Sequence, residues 1–123
     1  MSAPNLVNVS TITAKSLQAA LSTTLTTEIL ANGGSSGKVF KVNNIIVANI
    51  DGSSSVDISI FITKASGSPI AIASTVSVPA DSTLIAFDKN STIYLEENDN
   101  LEAGASAAGD AIITVNYEIL NDA

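Results

Sequence analysis

Histidine, cysteine, tryptophan and arginine are absent from this chain, and each absence closes off a class of function. Without histidine or cysteine, the common nucleophile–base dyads and triads cannot be assembled. Structural zinc sites and most transition-metal sites lose their usual ligands. No disulfide can form, so cysteine usage says nothing about redox compartment. Positive charge is scarce: five lysines stand against twelve carboxylates, a formal net charge of −7 with a pI near 4.1. Neutralising phosphates requires Lys or Arg, so nucleic acid is not expected as a partner. The same charge opposes docking on an anionic membrane surface. No uninterrupted apolar run exceeds four residues, as in Ile45–Ala48, against the ~20 that a membrane-spanning helix needs. The opening Met1-Ser2-Ala3-Pro4-Asn5-Leu6-Val7 has neither the basic region nor the apolar run of a signal peptide, so synthesis in the cytoplasm without export is expected.

What the chain does contain favours strands. At 123 residues and 12.5 kDa it has the size of one domain. A hydrophobic share of 46% and a mean hydropathy of +0.37 supply enough apolar surface to argue against disorder. Ser, Thr, Val and Ile are abundant, whereas long charged helix formers are few. In Val56–Thr63 every even position is aliphatic and the odd ones are polar apart from Phe61. In Ile112–Leu120, Ile113, Val115, Tyr117 and Ile119 share one face, opposite Thr114, Asn116 and Glu118. Across Lys38–Ile50 the same period of two groups Phe40, Val42, Ile46, Ala48 and Ile50 as an inward face.

Turn chemistry separates these stretches at Asn32–Gly37, Asp51-Gly52-Ser53, Ser66–Pro69, Pro79–Ser82, Asp88-Lys89-Asn90 and Gly109-Asp110. Strands are expected near 22–31, 38–50, 56–65, 70–78, 83–87, 92–95, 100–106 and 111–120. About eight strands with regular turns imply an all-β antiparallel sandwich, jelly-roll or immunoglobulin-like, over residues 21–123. Residues 1–20 are expected to form an extended N-terminal arm or an added edge strand, with a helical turn over Ala14–Leu21 as a weaker option.

Few side chains point to chemistry. Glu96-Glu97-Asn98-Asp99-Asn100-Leu101-Glu102 is the densest acidic stretch, but it lacks the alternating spacing of a calcium loop and fits a solvated turn. Nothing sets Glu96 and Glu102 at a defined separation across a cleft, as a glycosidase pair requires. Asn32–Gly37 fails the phosphate-loop pattern, since Val39 follows Lys38 where Ser or Thr is needed. Asn8-Val9-Ser10 and Asn90-Ser91-Thr92 match the glycosylation triplet, which matters only in a secretory pathway. Three Phe and two Tyr supply few rings for stacking on sugars, and Tyr117 and Phe40 are expected to face the core. No catalytic residue, cofactor or metal is therefore expected. Phe61 interrupts a polar face, Ile45 and Val47 oppose the inward face of their strand, and Ile85 and Phe87 are out of phase with Leu84 and Ala86. Phe61, Phe87, Ile45 and Val47 are the candidate protein interface, because exposed apolar groups that cluster mark contact surfaces.

The C-terminal third carries a likeness. Thr92–Leu101, then Ala103–Ala108, then Ile113-Thr114-Val115-Asn116-Tyr117-Glu118-Ile119-Leu120 resemble small virion structural proteins of tailed, marine-type bacteriophages. Lys38-Val39-Phe40-Lys41-Val42 and the later Ile45-Ile46-Val47-Ala48-Asn49 are similar to their second and third strands. The resemblance implies a β-sandwich of the virion: a capsid decoration or cement protein, or a tail, neck or fibre component. It further implies a homo-oligomer, with a trimer favoured, that contacts the major capsid protein or another virion protein. A sugar- or Ca²⁺-binding adhesion module is the alternative from another class.

Overall fold

In the computed structural model the described residues are 9–65 and 67–121. They form nine strands: β1 (Thr11–Ala20), β2 (Thr27–Ala31), β3 (Lys38–Asn49), β4 (Val56–Thr63), β5 (Ile70–Val78), β6 (Thr83–Phe87), β7 (Ile93–Leu95), β8 (Asn100–Ala105) and β9 (Ala111–Asn121). One sheet has the order β1-β9-β3-β6, with β7 also paired to β3, and the other has the order β2-β8-β4-β5. Every pairing is antiparallel. The expected all-β antiparallel sandwich is what forms. The helical option for Ala14–Leu21 is not: residues 11–20 are extended, because their backbone pairs with β9 from Thr11↔Asn121 to Ala20↔Ile112. Residues 1–8 of the expected arm lie outside the described residues.

The pairings are nested. β4 pairs with β5, β3 with β6 and β7, β2 with β8, and β1 with β9. The chain therefore runs as one long antiparallel hairpin whose tip is the β4–β5 turn. The β3–β9 and β4–β8 ladders then fold that hairpin over into two layers. Aliphatic side chains close the space between the layers, with Val42, Ile45, Val47, Ile113 and Val115 on one side and Val56, Ile58, Ile60, Leu101 and Ala103 on the other. Phe40 and Tyr117 stack with ring centroids 5.6 Å apart at the margin of this core, as their phase implies.

β3 departs from simple alternation. Phe40 pairs with Ile119 and Val42 with Tyr117, but the next matched pair is Asn44↔Asn116, followed by Ile45↔Val115 and Val47↔Ile113. Asn43 is thus one extra residue, a β-bulge, and the inward phase passes from even to odd numbers across it. Asn116 Nδ2 donates to Asn44 Oδ1 at 2.7 Å beside the bulge. The sequence-based face of Ile46, Ala48 and Ile50 carried the even phase through this point. In the structure Ile45 and Val47 are the buried pair, each 0% exposed, and Ile50 is 59% exposed.

Close approach fixes one glycine. A Cβ on Gly104 would lie 2.4 Å from Leu25 Cα and 2.6 Å from the Thr24 carbonyl oxygen, because the 22–26 segment crosses directly over β8. Gly104→Ala must push backbone aside and is expected to lower stability by ~1–3 kcal/mol, read from the urea midpoint at unchanged m-value. Deleting Asn43 leaves Phe40, Val42, Ile45 and Val47 facing inward on a regular strand, so cooperative unfolding is expected to survive. Deleting Ile46 reverses the phase of Val47 and Asn49, and a loss of ~2–5 kcal/mol is expected. Equal effects of the two deletions on the midpoint would contradict the bulge assignment.

Candidate functional site

The polar groups concentrate at the two ends of β3, where a buried asparagine ties the sheets together. Asn32, 1% exposed, follows β2. Its Nδ2 donates to the carbonyls of Lys38 at 2.8 Å and Leu95 at 3.0 Å, and its Oδ1 accepts the Ser36 hydroxyl at 2.7 Å. Asn49 does the same at the far end: Nδ2 donates to the Ser54 and Val78 carbonyls at 2.9 Å each, and Oδ1 accepts the Asp51 N–H at 2.9 Å. Each amide satisfies carbonyls that the ends of a sandwich would otherwise leave unpaired.

Around Asn32 the glycine-rich segment and the acidic stretch form one cap. The Asn32 N–H donates to the Asp99 carbonyl at 3.0 Å and the Asn98 N–H to the Asn32 carbonyl at 2.8 Å. The Gly37 N–H donates to Glu97 Oε2 at 2.7 Å. Asn98 takes the left-handed conformation at φ 67°, which asparagine tolerates better than most residues. Asp99 is buried, and its Oδ2 accepts both the Glu96 N–H at 2.8 Å and Lys64 Nζ at 2.5 Å. Lys64 leaves the end of β4 and also reaches Glu96 Oε2 at 3.4 Å, so it pins the acidic turn to the second sheet. The hydrogen bond to Asp99, with the charges of Asp99 and Glu96, raises the Lys64 pKa above its ordinary 10.5 against an opposing desolvation effect. At the other end, the N–H and hydroxyl of Ser53 lower the Asp51 carboxyl below its ordinary 3.8.

These carboxylates are occupied in holding turns. Glu102, on β8, accepts the Thr63 hydroxyl at 2.8 Å, while Glu96 faces Lys64. Among the described residues no group of three or more Asp or Glu side chains is placed to hold a metal ion. Open, shallow depressions lie on the surface of the described residues. One of about 370 Å³ is lined by Lys15, Asn43, Asn116 and Glu118, and one of about 240 Å³ by Thr23, Leu25, Asp57 and Thr75.

The candidate interface residues divide. Ile45 and Val47 are core residues, not surface ones, because the Asn43 bulge turns them inward. Phe87 sits opposite Ile45 and packs, half-buried, against the core, since the β3–β6 register slips between Ile45 and Ile46. Phe61 lies half-buried on the outer face of the second sheet, between Ala71 and Glu102. The outer face of the first sheet instead carries the apolar cluster. Ile46 faces Ile85, and Ala20, Ile112 and Ala48 follow one another across β1, β9 and β3 in the adjoining row. Ile85 is 64% exposed. The missed signal was in the sequence: consecutive Ile45-Ile46-Val47-Ala48 gives both faces of the strand apolar residues, so one set had to point outward.

No family model and no curated protein matches the chain. Among solved structures, the fold is similar to a chain of Bacillus endospore appendages, described as disulfide-linked pili, with TM-score 0.56 and 11% identity over 100% of this chain and 98% of that one. A pentameric capsid protein from metagenomic phage sequences matches at TM-score 0.38 and 18% identity over 86% of this chain and 62% of that one. A Clostridium thermocellum xylanase module pair matches at TM-score 0.31 and 10% identity, covering 98% of this chain and 28% of that one. The first likeness establishes a shared fold over the whole chain, and the other two superpositions are too loose to carry an argument. No helix among the described residues is long and apolar enough to cross a membrane.

The Lys64 clamp has a pH signature. Because its folded pKa is raised, its contribution is fully present below pH 10.5 and is lost as pH rises through the folded value. The urea midpoint of the wild type is expected to fall across that alkaline range relative to Lys64→Met. The variant is expected to be less stable at neutral pH, where Asp99 stays buried without its cation. Parallel alkaline slopes for the two proteins would show that the clamp contributes nothing.

Proposed function

We propose that this chain is a non-enzymatic structural protein of a bacteriophage particle, a capsid decoration or cement protein that stabilises the head through protein–protein contacts. The observation that carries this reading is the outward apolar cluster of Ile46, Ile85 and Ile112 with Ala20 and Ala48, surface that the chain's own core does not use. Cement work needs such area and paired backbone rather than reactive groups. Interfaces of ~1,600 Å² have ample gross driving force, of which ordering and association costs remove most, and repetition over a shell multiplies the weak contacts that remain. The phage likeness of the β3 and β7–β9 sequences supports the same assignment, and we read the nested strand order as a jelly roll. Within the N-terminal arm proposed for residues 1–20, β1 is the added edge strand on the sandwich that follows, and the arm is proposed to clamp a capsid protein or a neighbouring subunit.

A tail, neck or fibre role is the second reading, and the full-length fold likeness to an appendage subunit favours it. That appendage is disulfide-linked, whereas this chain has no cysteine, so any filament it built is held by packing and strand pairing alone. The adhesion module has less to stand on: Tyr94, at 53% exposure, is the exposed aromatic ring of the described surface, and the acidic turn is bound to Lys64.

An antibody raised against the purified chain and applied to virions in the electron microscope is expected to label the head surface. Label confined to tails or fibres would transfer the assignment to the second reading. Particles left unlabelled, intact and disrupted alike, would refute a virion role.

A further inference from the structure

Among the described residues the four sheet edges are unequal. β2 has five residues and slips register between Glu28 and Leu30. β6 has five and slips beside Ile45, while β7 has three. β5 carries two irregularities against β4, holds Thr75 at φ 53° and runs between Pro69 and Pro79. Short length, bulges and flanking prolines are the devices that stop another strand from adding to an edge. β1 has none of them. It runs ten residues in unbroken register against β9, without proline or glycine, and Lys15 is its one charge.

The ladder also shows which backbone groups β1 leaves open. The Leu21 N–H donates to the Ala111 carbonyl at 2.8 Å, in step with the β1–β9 register. Antiparallel alternation therefore turns odd-numbered residues toward β9 and aims the N–H and C=O of Ile12, Ala14, Ser16, Gln18 and Ala20 away from the sheet.

We propose that this edge is a homodimer interface, occupied by β1 of a second copy running antiparallel about a two-fold axis at Ser16. Head-to-tail addition needs a second open edge, and the other three are blunted, whereas a two-fold contact needs only this one. Side chains directly opposite must share a face, which restricts the register to even sums of residue numbers. Pairing centred on Lys15 sets two ammonium groups opposite each other and is disfavoured. Pairing centred on Ser16 engages residues 12–20 of each copy and sets Lys15 opposite the aliphatic Leu17 of the other copy. It also seats Ile12, 63% exposed in the single chain, against Ala20 of the other copy, in line with that copy's Ile112.

This inference goes beyond the virion assignment and fails separately from it, since it is read from the mass in solution and not from label on particles. Light scattering after size exclusion is expected to give twice 12.5 kDa for the wild type. Ser16→Pro removes an outward N–H without taking a hydrogen bond from β9, so it is expected to give a folded monomer with an unchanged circular dichroism spectrum. If that variant fails to fold, Ala14→Lys combined with Gln18→Lys decides the matter. It sets like charges opposite each other in the proposed register and is likewise expected to be monomeric. A wild type that is monomeric throughout a dilution series overturns the proposal. So does an oligomer, including the trimer implied by the phage likeness, whose mass ignores both sets of substitutions.

Discussion

β3 pairs with β9, β6 and β7, and the one extra residue within it decides which side chains all three neighbours meet. Above the Asn43 bulge, Phe40 and Val42 point into the sandwich, and below it Ile45 and Val47 do. β9 keeps an unbroken odd-numbered phase opposite, from Ala111 through Val115 to Ile119. Without the bulge's shift, a twelve-residue strand carrying this sequence could not present apolar groups to β9's inward row at both of its ends. The bulge also leaves a second set, Ile46 and Ala48, on the outside, where Ile85 and Ile112 join them. The core and the outward apolar cluster are thus two consequences of one insertion.

The ends of the sandwich are closed by amide chemistry rather than by packing. Asn32 and Asn49 are both nearly inaccessible, and each spends its two N–H donors on two carbonyls from separate strands or loops. An aliphatic core of this kind has little directional content, because Val, Ile and Leu pack acceptably in more than one register. Buried amides with defined partners supply the direction, since a slip by one residue would leave donors and carbonyls unpaired in a dry site. The Lys64–Asp99 contact adds a charge-assisted tie on the Asn32 side only.

Strand positions were legible because alternation and turn residues are local signals. β5 and β6 fall at 70–78 and 83–87 as read from the sequence, and β3, β4, β7, β8 and β9 depart by one or two residues at their ends. β2 begins at Thr27 rather than near 22, since the 22–26 segment is used to cross over Gly104. The phase of β3 was not legible. Asn43-Asn44 reads as two polar residues that suit either face, and only the partner strand shows which of them is surplus. The roles of Asn32 and Asn49 were equally hidden: Asn32 reaches Leu95 and Asn49 reaches Val78, contacts that exist only once distant strands have met. Phe61 kept its outward side because β4 keeps the phase of Ile58, Ile60 and Ile62, whereas Phe87 lost its own to the slip at Ile45.

Charge and edge design are consistent with one another. A net charge of −7 on 123 residues keeps separate copies apart at long range, yet β1 itself carries no carboxylate and a single lysine. Repulsion between copies is therefore low along this edge. Screening at physiological ionic strength limits the long-range term to ~8 Å, so the short-range hydrogen bonds of an added strand decide the contact. Among the described residues the first sheet carries, side by side, a row of outward backbone donors and acceptors on β1 and an isoleucine cluster beginning one strand away on β9. Adjacent, both on the first sheet, they are the surfaces on which the proposed strand pairing between copies and the proposed apolar contact with a different protein rest.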